Sequence, residues 1–328
     1  MPSVLVTGAT GGLGRVLIAA LRAQGRTVLA SGRNPAIGAE LAGDGVRFVA
    51  ADLVRDDLRP LLDGVGSVFH LAALSSPWGA EQRFIDINLK ATQRLLAAAQ
   101  ASGCRRFIFT STPSIYTRAR HQYALTEDSP LPSRLINAYA RTKYAAERQV
   151  RGAARPDFAT VSLRPRAILG PHDSALLPRL LRAAQRGVMP LPGFGRALIE
   201  PTDARDVASA LLLAEARAEA LSGQVFNLGG GQGVPLAELA QAVFQRLGRP
   251  VRTLGLPAPL VLGLATLLET QARLRPNAPE PLLTRYGAMV LGWSQTFDLS
   301  AARQQLGWQP TFNVQQSLDW ALEHHAHA

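Results

Sequence analysis

Short apolar runs of strand length recur along the chain: Val4-Val6, Thr27-Ala30, Val46-Val49, Ser67-His70, Arg106-Phe109 and Thr160-Leu163. Between them lie longer Ala/Leu/Arg stretches with helical spacing. Val16, Ala19, Ala20 and Ala23 form one stripe, and Leu89, Leu95, Leu96 and Ala99 contribute to another. Strand and helix alternating this often predict βαβ units around a parallel sheet, an α/β fold. Such a sheet is covered on both faces, so its strands read as continuous apolar runs and not as alternation. After about Pro165 the rhythm changes. Pro171, Pro178, Pro190, Pro192, Gly193 and Gly195 mark a second, less regular unit, with no internal repeat and no long linker before it.

The composition of the 328 residues, 47% hydrophobic and 18% charged, supports a full core and excludes a disordered chain. The single cysteine, Cys104, excludes an internal disulfide framework and a clustered-thiolate metal site, and no metal is expected. His324, His325 and His327 read as a solvated tail. Met1-Pro2-Ser3 runs directly into Val4-Leu5-Val6 with no basic region before it, so no secretory signal is expected. The longest uncharged apolar run, Leu254 to Leu268, is interrupted by Gly and Pro and falls short of the ~20 residues of a spanning helix. A soluble, cytoplasmic protein is the expectation. The formal charge is +11, and 33 of the 35 basic residues are Arg, scattered without a patch. That distribution argues against nucleic acid and leaves anionic small molecules as partners.

The strand Val4-Val6 is followed by Thr7-Gly8-Ala9-Thr10-Gly11-Gly12-Leu13-Gly14 and a helix from about Leu13. Gly8 allows the tight turn, Gly11 a close backbone approach, and Gly14 the packing of helix against sheet. The helix N-terminus then presents unpaired N–H groups to a pyrophosphate. An ordinary glycine-rich turn is the competing reading; the strand-turn-helix context at the head of the chain favours the phosphate.

This T-G-x-x-G-x-x-G spacing resembles the short-chain dehydrogenase/reductase superfamily, and further motifs follow in order: Asp52-Leu53, His70-Leu71-Ala72-Ala73, Asn88 within Asp86-Ile87-Asn88-Leu89-Lys90, Tyr139-Ala140-Arg141-Thr142-Lys143 and Leu163-Arg164-Pro165. Asp206-Val207-Ala208, Phe226-Asn227-Leu228-Gly229-Gly230-Gly231 and Leu306-Gly307-Trp308-Gln309-Pro310 extend the likeness to the extended branch, over about the whole chain. The resemblance implies a Rossmann-type doubly wound sheet from 1–165 plus about 197–228, and a smaller, mainly helical substrate-binding unit from about 166–196 plus 229–328. It also implies that Gly8, Thr10, Gly11, Gly12, Leu13, Gly14, Asp52, Leu53, Leu71, Ala72, Ala73, Asn88 and Pro165 bind a dinucleotide. Relatives dimerise through helices near Asn88 and Tyr139, so a homodimer is a further implication.

Tyr139 and Lys143 are four apart and share a helix face. A tyrosine of pKa about 10 is a poor proton shuttle at neutral pH. A neighbouring ammonium stabilises phenolate and lowers that value, and it can donate to ribose hydroxyls as well. One of only two lysines in the chain stands here. The third catalytic group is a hydroxyl after the strand Arg106-Phe109, where the sequence offers Thr110-Ser111-Thr112-Pro113-Ser114. Relatives place theirs at the position of Thr112, with Ser111 and Ser114 as rivals.

The second strand ends in Ser31-Gly32-Arg33-Asn34, without the acidic residue that NAD-preferring relatives carry. Ser31, Arg33 and Asn34 offer donors to a 2′-phosphate, so NADP(H) is expected over NAD(H), with Arg15 nearby. Ser76-Pro77-Trp78-Gly79 and Leu163-Arg164-Pro165-Arg166-Ala167-Ile168-Leu169-Gly170-Pro171 resemble the 3β-hydroxysteroid dehydrogenase-like branch, especially the bacterial 2-alkyl-3-oxoalkanoate reductases. That resemblance implies ketone–alcohol interconversion at a β-position of a hydrophobic substrate with an anionic end. Trp78 and the leucines Leu256, Leu260, Leu264 and Leu267 are candidates for its apolar wall, and Arg166 for its carboxylate partner. Contact of the leucine stripe with a membrane surface, with Arg273 and Arg275 beyond it, is the weaker reading. A nucleotide-sugar epimerase or dehydratase is the first rival. The arginine such enzymes carry in the second unit is replaced here by Ile199, although Arg196 lies close by. A non-catalytic redox sensor is the second rival, and the retained Tyr/Lys pair argues against it.

Overall fold

The computed structural model describes residues 3–173 and 176–324. Met1, Pro2, His325 and His327, on which parts of the sequence reading fall, lie outside the described residues. Five strands open the chain: β1 (Ser3–Thr7), β2 (Val28–Gly32), β3 (Val46–Ala50), β4 (Val65–His70) and β5 (Arg106–Thr110). With Ala159–Pro165 and Gln224–Leu228 they form one seven-stranded sheet. Its order is Gln224–Leu228, Ala159–Pro165, β5, β4, β1, β2, β3, with all pairings parallel. Each of the six apolar runs became a strand of this sheet, and the α/β, Rossmann-type expectation holds.

Successive side chains of a strand point to opposite faces, and the two faces carry separate cores. Val4 and Val6 of β1 pack with Leu17, Ile18 and Leu21 of helix α1 (Gly12–Ala23) and with Val207 and Leu211 of the helix Ala204–Ala216. Leu5 of the same strand faces the other way, toward Leu95, Phe107, Phe109, Ala146 and Val150. A one-residue slip of β1 would exchange the two cores, so its register is fixed by both layers at once.

The second unit is built of short strand pairs and helices. Val188–Pro192 pairs with Arg252–Leu256, and Leu198–Ile199 with Val234–Pro235. The helices Leu177–Arg186 and Leu236–Arg246 share a core with Leu191, Ile199 and Leu318. Two details differ from the expected division. Leu299, Ala302, Leu306 and Trp308, placed by number in the second unit, pack in the core under the main sheet with Ala208 and Leu211. The segment Gln295–Phe297 likewise pairs with Gln122–Leu125 of the first unit. The chain thus returns across the boundary to bury Trp308.

A single carboxylate holds that return. Asp206, 2% exposed, accepts hydrogen bonds from the Thr311 amide (3.1 Å), the Thr311 hydroxyl (2.6 Å) and the Phe312 amide (3.1 Å). The Trp308 indole N–H donates to the Asp206 carbonyl at 2.9 Å. Asp206→Ala leaves the Thr311 and Phe312 donors unpaired, while the Trp308 bond to the backbone carbonyl persists, and should destabilise the protein by roughly 2–4 kcal/mol in denaturant unfolding, with nucleotide affinity retained. An unchanged unfolding midpoint would show that the strap is held by packing alone.

The leucine stripe is the main correction. Residues Ala258–Leu274 form one helix that buries Ala258, Val261, Ala265 and Ala272. Its small side chains meet Ala288 and Gly292 of the helix Arg285–Gly292, which are also buried. Close packing of small residues turns the leucines outward: Leu260, Leu264 and Leu267 are 62%, 50% and 56% exposed. They do not wall the active-site cavity. Among the described residues no helix is long and apolar enough to cross a membrane.

Candidate active site

The functional side chains gather where the parallel strands end, the position that open α/β sheets offer to ligands. After β1, Gly8 adopts a φ of +70°, and a Cβ there would lie 2.7 Å from the Ala72 backbone nitrogen. A Cβ on Gly14 would meet the Gly8 carbonyl at 2.3 Å. The turn is therefore pressed between the loop after β4 and the first turn of α1. Gly11 is the N-cap of α1 and provides no side-chain cap, so the helix's first N–H groups face outward, with no acidic residue in the first turn. This cradle fits a pyrophosphate. Thr10 reaches the end of β2, its side chain 3.0 Å from where a Gly32 Cβ would stand.

At the end of β2, Arg33 and Asn34 are exposed, and the Asn34 carboxamide oxygen caps the next helix by accepting from Ala36 and Ile37. Ser31 differs from expectation. It is 1% exposed and its hydroxyl is enclosed without a partner, so it leaves the set of donors open to a phosphate. Arg15 is engaged by Glu40 at 3.1 Å. Asp52 and Leu53 follow β3, where one Asp52 oxygen accepts from the Val54 amide at 2.9 Å. Leu71, Ala72 and Ala73 follow β4, and Pro165 closes the strand Ala159–Pro165.

Asn88 is brought to this region but is committed elsewhere. It sits in a π-helical stretch, Ile85–Lys90, a rare geometry that marks functional sites. Its side-chain oxygen accepts from the Leu74 amide (2.7 Å), and its NH2 donates to the Leu74 carbonyl (3.2 Å) and the Thr142 hydroxyl (3.3 Å). Asn88 therefore ties the loop after β4 to the helix Ala138–Gly152 and has no N–H left for a cofactor. This corrects its expected role.

Behind it, His70 is fully buried and neutral, its pKa pulled down to about 3 by desolvation and by Lys143. The Thr92 hydroxyl donates to the Asn88 carbonyl at 2.8 Å, so it accepts from His70 Nε2 at 2.8 Å, and Nδ1 accepts from Thr7 at 2.7 Å. This fixes the tautomer.

Tyr139 and Lys143 lie on the helix Ala138–Gly152, which Asn137 caps by accepting from Ala140 at 2.9 Å. The Tyr139 phenol has the hydroxyls of Thr112 and Ser75 acting on it, both favouring its charged form. Of the three candidate hydroxyls, Thr112 is the one that acts on Tyr139. Ser114 stands one bond further on, accepting from Thr112 at 3.0 Å, and Ser111 has no partner. Burial pushes the Tyr139 phenol up, against the hydrogen bonds from Thr112 and Ser75. Lys143, expected to lower it, is not among the groups that act on the phenol; Tyr286 adds to the rise, and Tyr139 holds its proton at neutral pH. Lys143 is 2% exposed, its amine 4.0 Å from the Phe109 ring centroid. Desolvation drags its pKa down to about 7, and Glu147 one turn on opposes this.

A cavity of about 1,220 Å³ opens at the start of the helix Ala138–Gly152, lined by Trp78, Phe84, Leu135, Ile136, Ala138 and Tyr286 among others. Trp78 is held across it by an indole N–H to the Ala278 carbonyl at 2.8 Å. Arg196 is exposed and Ile199 buried, neither in this lining.

Sequence reasoning missed Ser75, Glu147 and Tyr286. Glu147 had a signal, since it continues the four-residue spacing of Tyr139 and Lys143. Ser75 and Tyr286 had none, because contacts across distant segments bring them in.

The chain belongs to the NAD dependent epimerase/dehydratase family, whose model matches residues 4–229. It is thus an extended short-chain dehydrogenase/reductase, an NAD(P)-binding oxidoreductase. It is 35% identical to the uncharacterized protein YbjS of Escherichia coli, covering 98% of each chain. It is 30% identical to a 2-alkyl-3-oxoalkanoate reductase of Shewanella oneidensis, over 95% of this chain and 84% of that one. Among solved structures, MoeE5 in complex with UDP-glucuronic acid and NAD is 28% identical and superimposes with a TM-score of 0.79 over 99% of both chains.

Asn88→Ala should lower thermal stability, because each unpartnered Leu74 group costs about 1–3 kcal/mol. Turnover should fall with it as the Leu74–Ser75 loop loosens, while nucleotide affinity stays near that of the unaltered protein. A large loss of nucleotide affinity with unchanged stability would restore Asn88 to the cofactor.

Proposed function

We propose that the protein is an NADP(H)-dependent ketoreductase that interconverts hydrophobic 3-oxo and 3-hydroxy compounds, with Tyr139 as the proton donor. The observation that carries this reading is the placement of Tyr139 and the buried Lys143 one turn apart on one helix, with the Thr112 and Ser75 hydroxyls acting on the phenol. The nicotinamide supplies or accepts the hydride. Thr112 and Tyr139 hold the carbonyl oxygen, and Tyr139 gives it a proton, which its raised pKa keeps available. Lys143 stabilises the phenolate left behind and donates to ribose hydroxyls.

The preference for NADP(H) is supported by Arg33 and Asn34 standing exposed at the end of β2, where no carboxylate is present. Trp78, Leu135 and Ile136 give the cavity apolar walls suited to an alkyl chain or ring system. The likeness to an oxoalkanoate reductase points the same way. The likeness to MoeE5 keeps a nucleotide-sugar substrate as the rival, and neither Ile199 nor Arg196 supports it.

Tyr139→Phe should reduce ketone turnover by about 10²–10⁴-fold while nucleotide binding persists. Across a series of 3-oxoacids, each added methylene that becomes buried should raise kcat/KM about fourfold, about 0.8 kcal/mol, until the cavity fills. A flat series, or turnover with nucleotide sugars only, would sink the reading. Fluorescence titration should give tighter binding of NADPH than NADH, with the gap narrowed in Arg33→Ala; preference for NADH would contradict the cofactor assignment.

A further inference from the structure

Three hydroxyls stand in a row where the second unit meets the first. The Thr112 hydroxyl donates to Ser114 Oγ at 3.0 Å, and Ser114 Oγ lies 2.8 Å from the Tyr286 hydroxyl. Thr112 and Ser114 are buried and follow β5. Tyr286 belongs to the helix Arg285–Gly292 and lines the cavity. The residues on either side of it are held by their amides. The Arg285 N–H donates to the Glu269 carboxylate at 2.6 Å, and the Gly287 N–H to the Thr284 hydroxyl at 3.0 Å. Glu269 is itself buried on the helix Ala258–Leu274, and it also meets Arg285 Nε at 3.3 Å. The second unit thus delivers one phenol to a buried serine of the first and holds it there.

The direction of these bonds matters, because each hydroxyl carries a single hydrogen. The Thr112 oxygen accepts from the Ser114 amide at 3.2 Å, and the Thr112 hydrogen is directed at Ser114 Oγ. In that state Thr112 has nothing to donate to a carbonyl. The bond between Ser114 and Tyr286 can be made from either side. When Ser114 donates to Tyr286 it has no hydrogen for Thr112, and Thr112 stays turned toward it. When Tyr286 donates to Ser114, Ser114 can donate to Thr112 and the Thr112 hydrogen is released. Hydrogen bonds in a row polarise one another, so the released hydroxyl is also the stronger donor.

We propose that Tyr286 is a positioning residue for carbonyl reduction: by donating to Ser114 it turns the row Tyr286–Ser114–Thr112 so that Thr112 donates to the carbonyl oxygen of the substrate. This rests on the ketoreductase reading and adds to it a residue from the second unit. Every hydroxyl of the row keeps one hydrogen throughout, and Tyr139 remains the group that gives up a proton.

The test follows single-turnover oxidation of NADPH by methyl 3-oxodecanoate in the unaltered protein, Tyr286→Phe, Ser114→Ala and the double variant. Each substitution removes one oxygen and leaves the packing in place. Tyr286→Phe keeps Ser114 as the acceptor that holds the Thr112 hydrogen. Its rate should fall about tenfold, the effect of one hydrogen bond, with NADPH affinity within about twofold of the unaltered protein. Ser114→Ala removes that acceptor and retains the backbone amide, so Thr112 is free to turn and the rate should fall less. The double variant should match Ser114→Ala and therefore run faster than Tyr286→Phe alone. A phenol that only packs the cavity, or that meets the substrate directly, gives losses that multiply in the double variant. That result, or a Tyr286→Phe rate equal to that of the unaltered protein, would overturn the positioning role alone. Absence of turnover in the unaltered protein would overturn the ketoreductase reading and the positioning role with it.

Discussion

Burial of positive charge is the constraint on which this site depends. Lys143, Arg164 and Arg166 are each 2–3% exposed, close behind the reactive tyrosine. A buried cation is tolerated when it is paired, when it can neutralise, or when a ligand completes it. Arg164 is paired by Glu147. Lys143 has the Phe109 ring beneath it and a pKa near 7, so it can carry or release its charge according to what binds. Arg166 has the buried Glu200 carboxylate acting on it, without a hydrogen bond to Nε or Nη2.

The polar scaffold around these cations is fully cross-linked, and it spans segments far apart in sequence. Thr7 at the end of β1 holds His70 at the end of β4; His70 meets Thr92, and Thr92 meets the carbonyl of Asn88. Asn88 then binds both the Leu74 backbone and Thr142 on the helix that carries Tyr139. Loosening any of these links shifts Ser75 against Tyr139. The π-helical turn at Ile85–Lys90 belongs to the same device, since it accompanies the aim of Asn88 across two neighbouring segments. The preorganisation that proton transfer requires is therefore distributed over the ends of several strands and two helices.

The sheet was legible because its strands are buried on both faces and leave unbroken apolar runs. The phosphate cradle was legible because backbone proximity at Gly8 and Gly14 admits no other residue. Tyr139 and Lys143 were legible through the resemblance of Tyr139-Ala140-Arg141-Thr142-Lys143 to the superfamily's motif, with helical spacing setting them on one face. Other features depended on partners that a linear pattern does not contain. The helix Ala258–Leu274 offers two apolar faces, and periodicity alone chose the leucines. The structure buried the alanines, because small side chains allow the close approach of Ala288 and Gly292. Asn88 has the position expected of a cofactor ligand, but the backbone of Leu74 takes its side chain first. Tyr286 joins the site from a residue 172 positions beyond Ser114.

With Lys90 and Lys143 the only lysines, a protein labelled at lysine Cε gives two resonances, and Lys90→Arg identifies the exposed one. Following Lys143 by nuclear magnetic resonance through a pH titration tests the organising claim directly. In the ligand-free protein Lys143 should titrate near 7, and addition of NADPH, with its negative charge and hydroxyl acceptors, should raise that value. A Lys143 resonance that titrates at the ordinary value of about 10.4 for a solvated amine would contradict it.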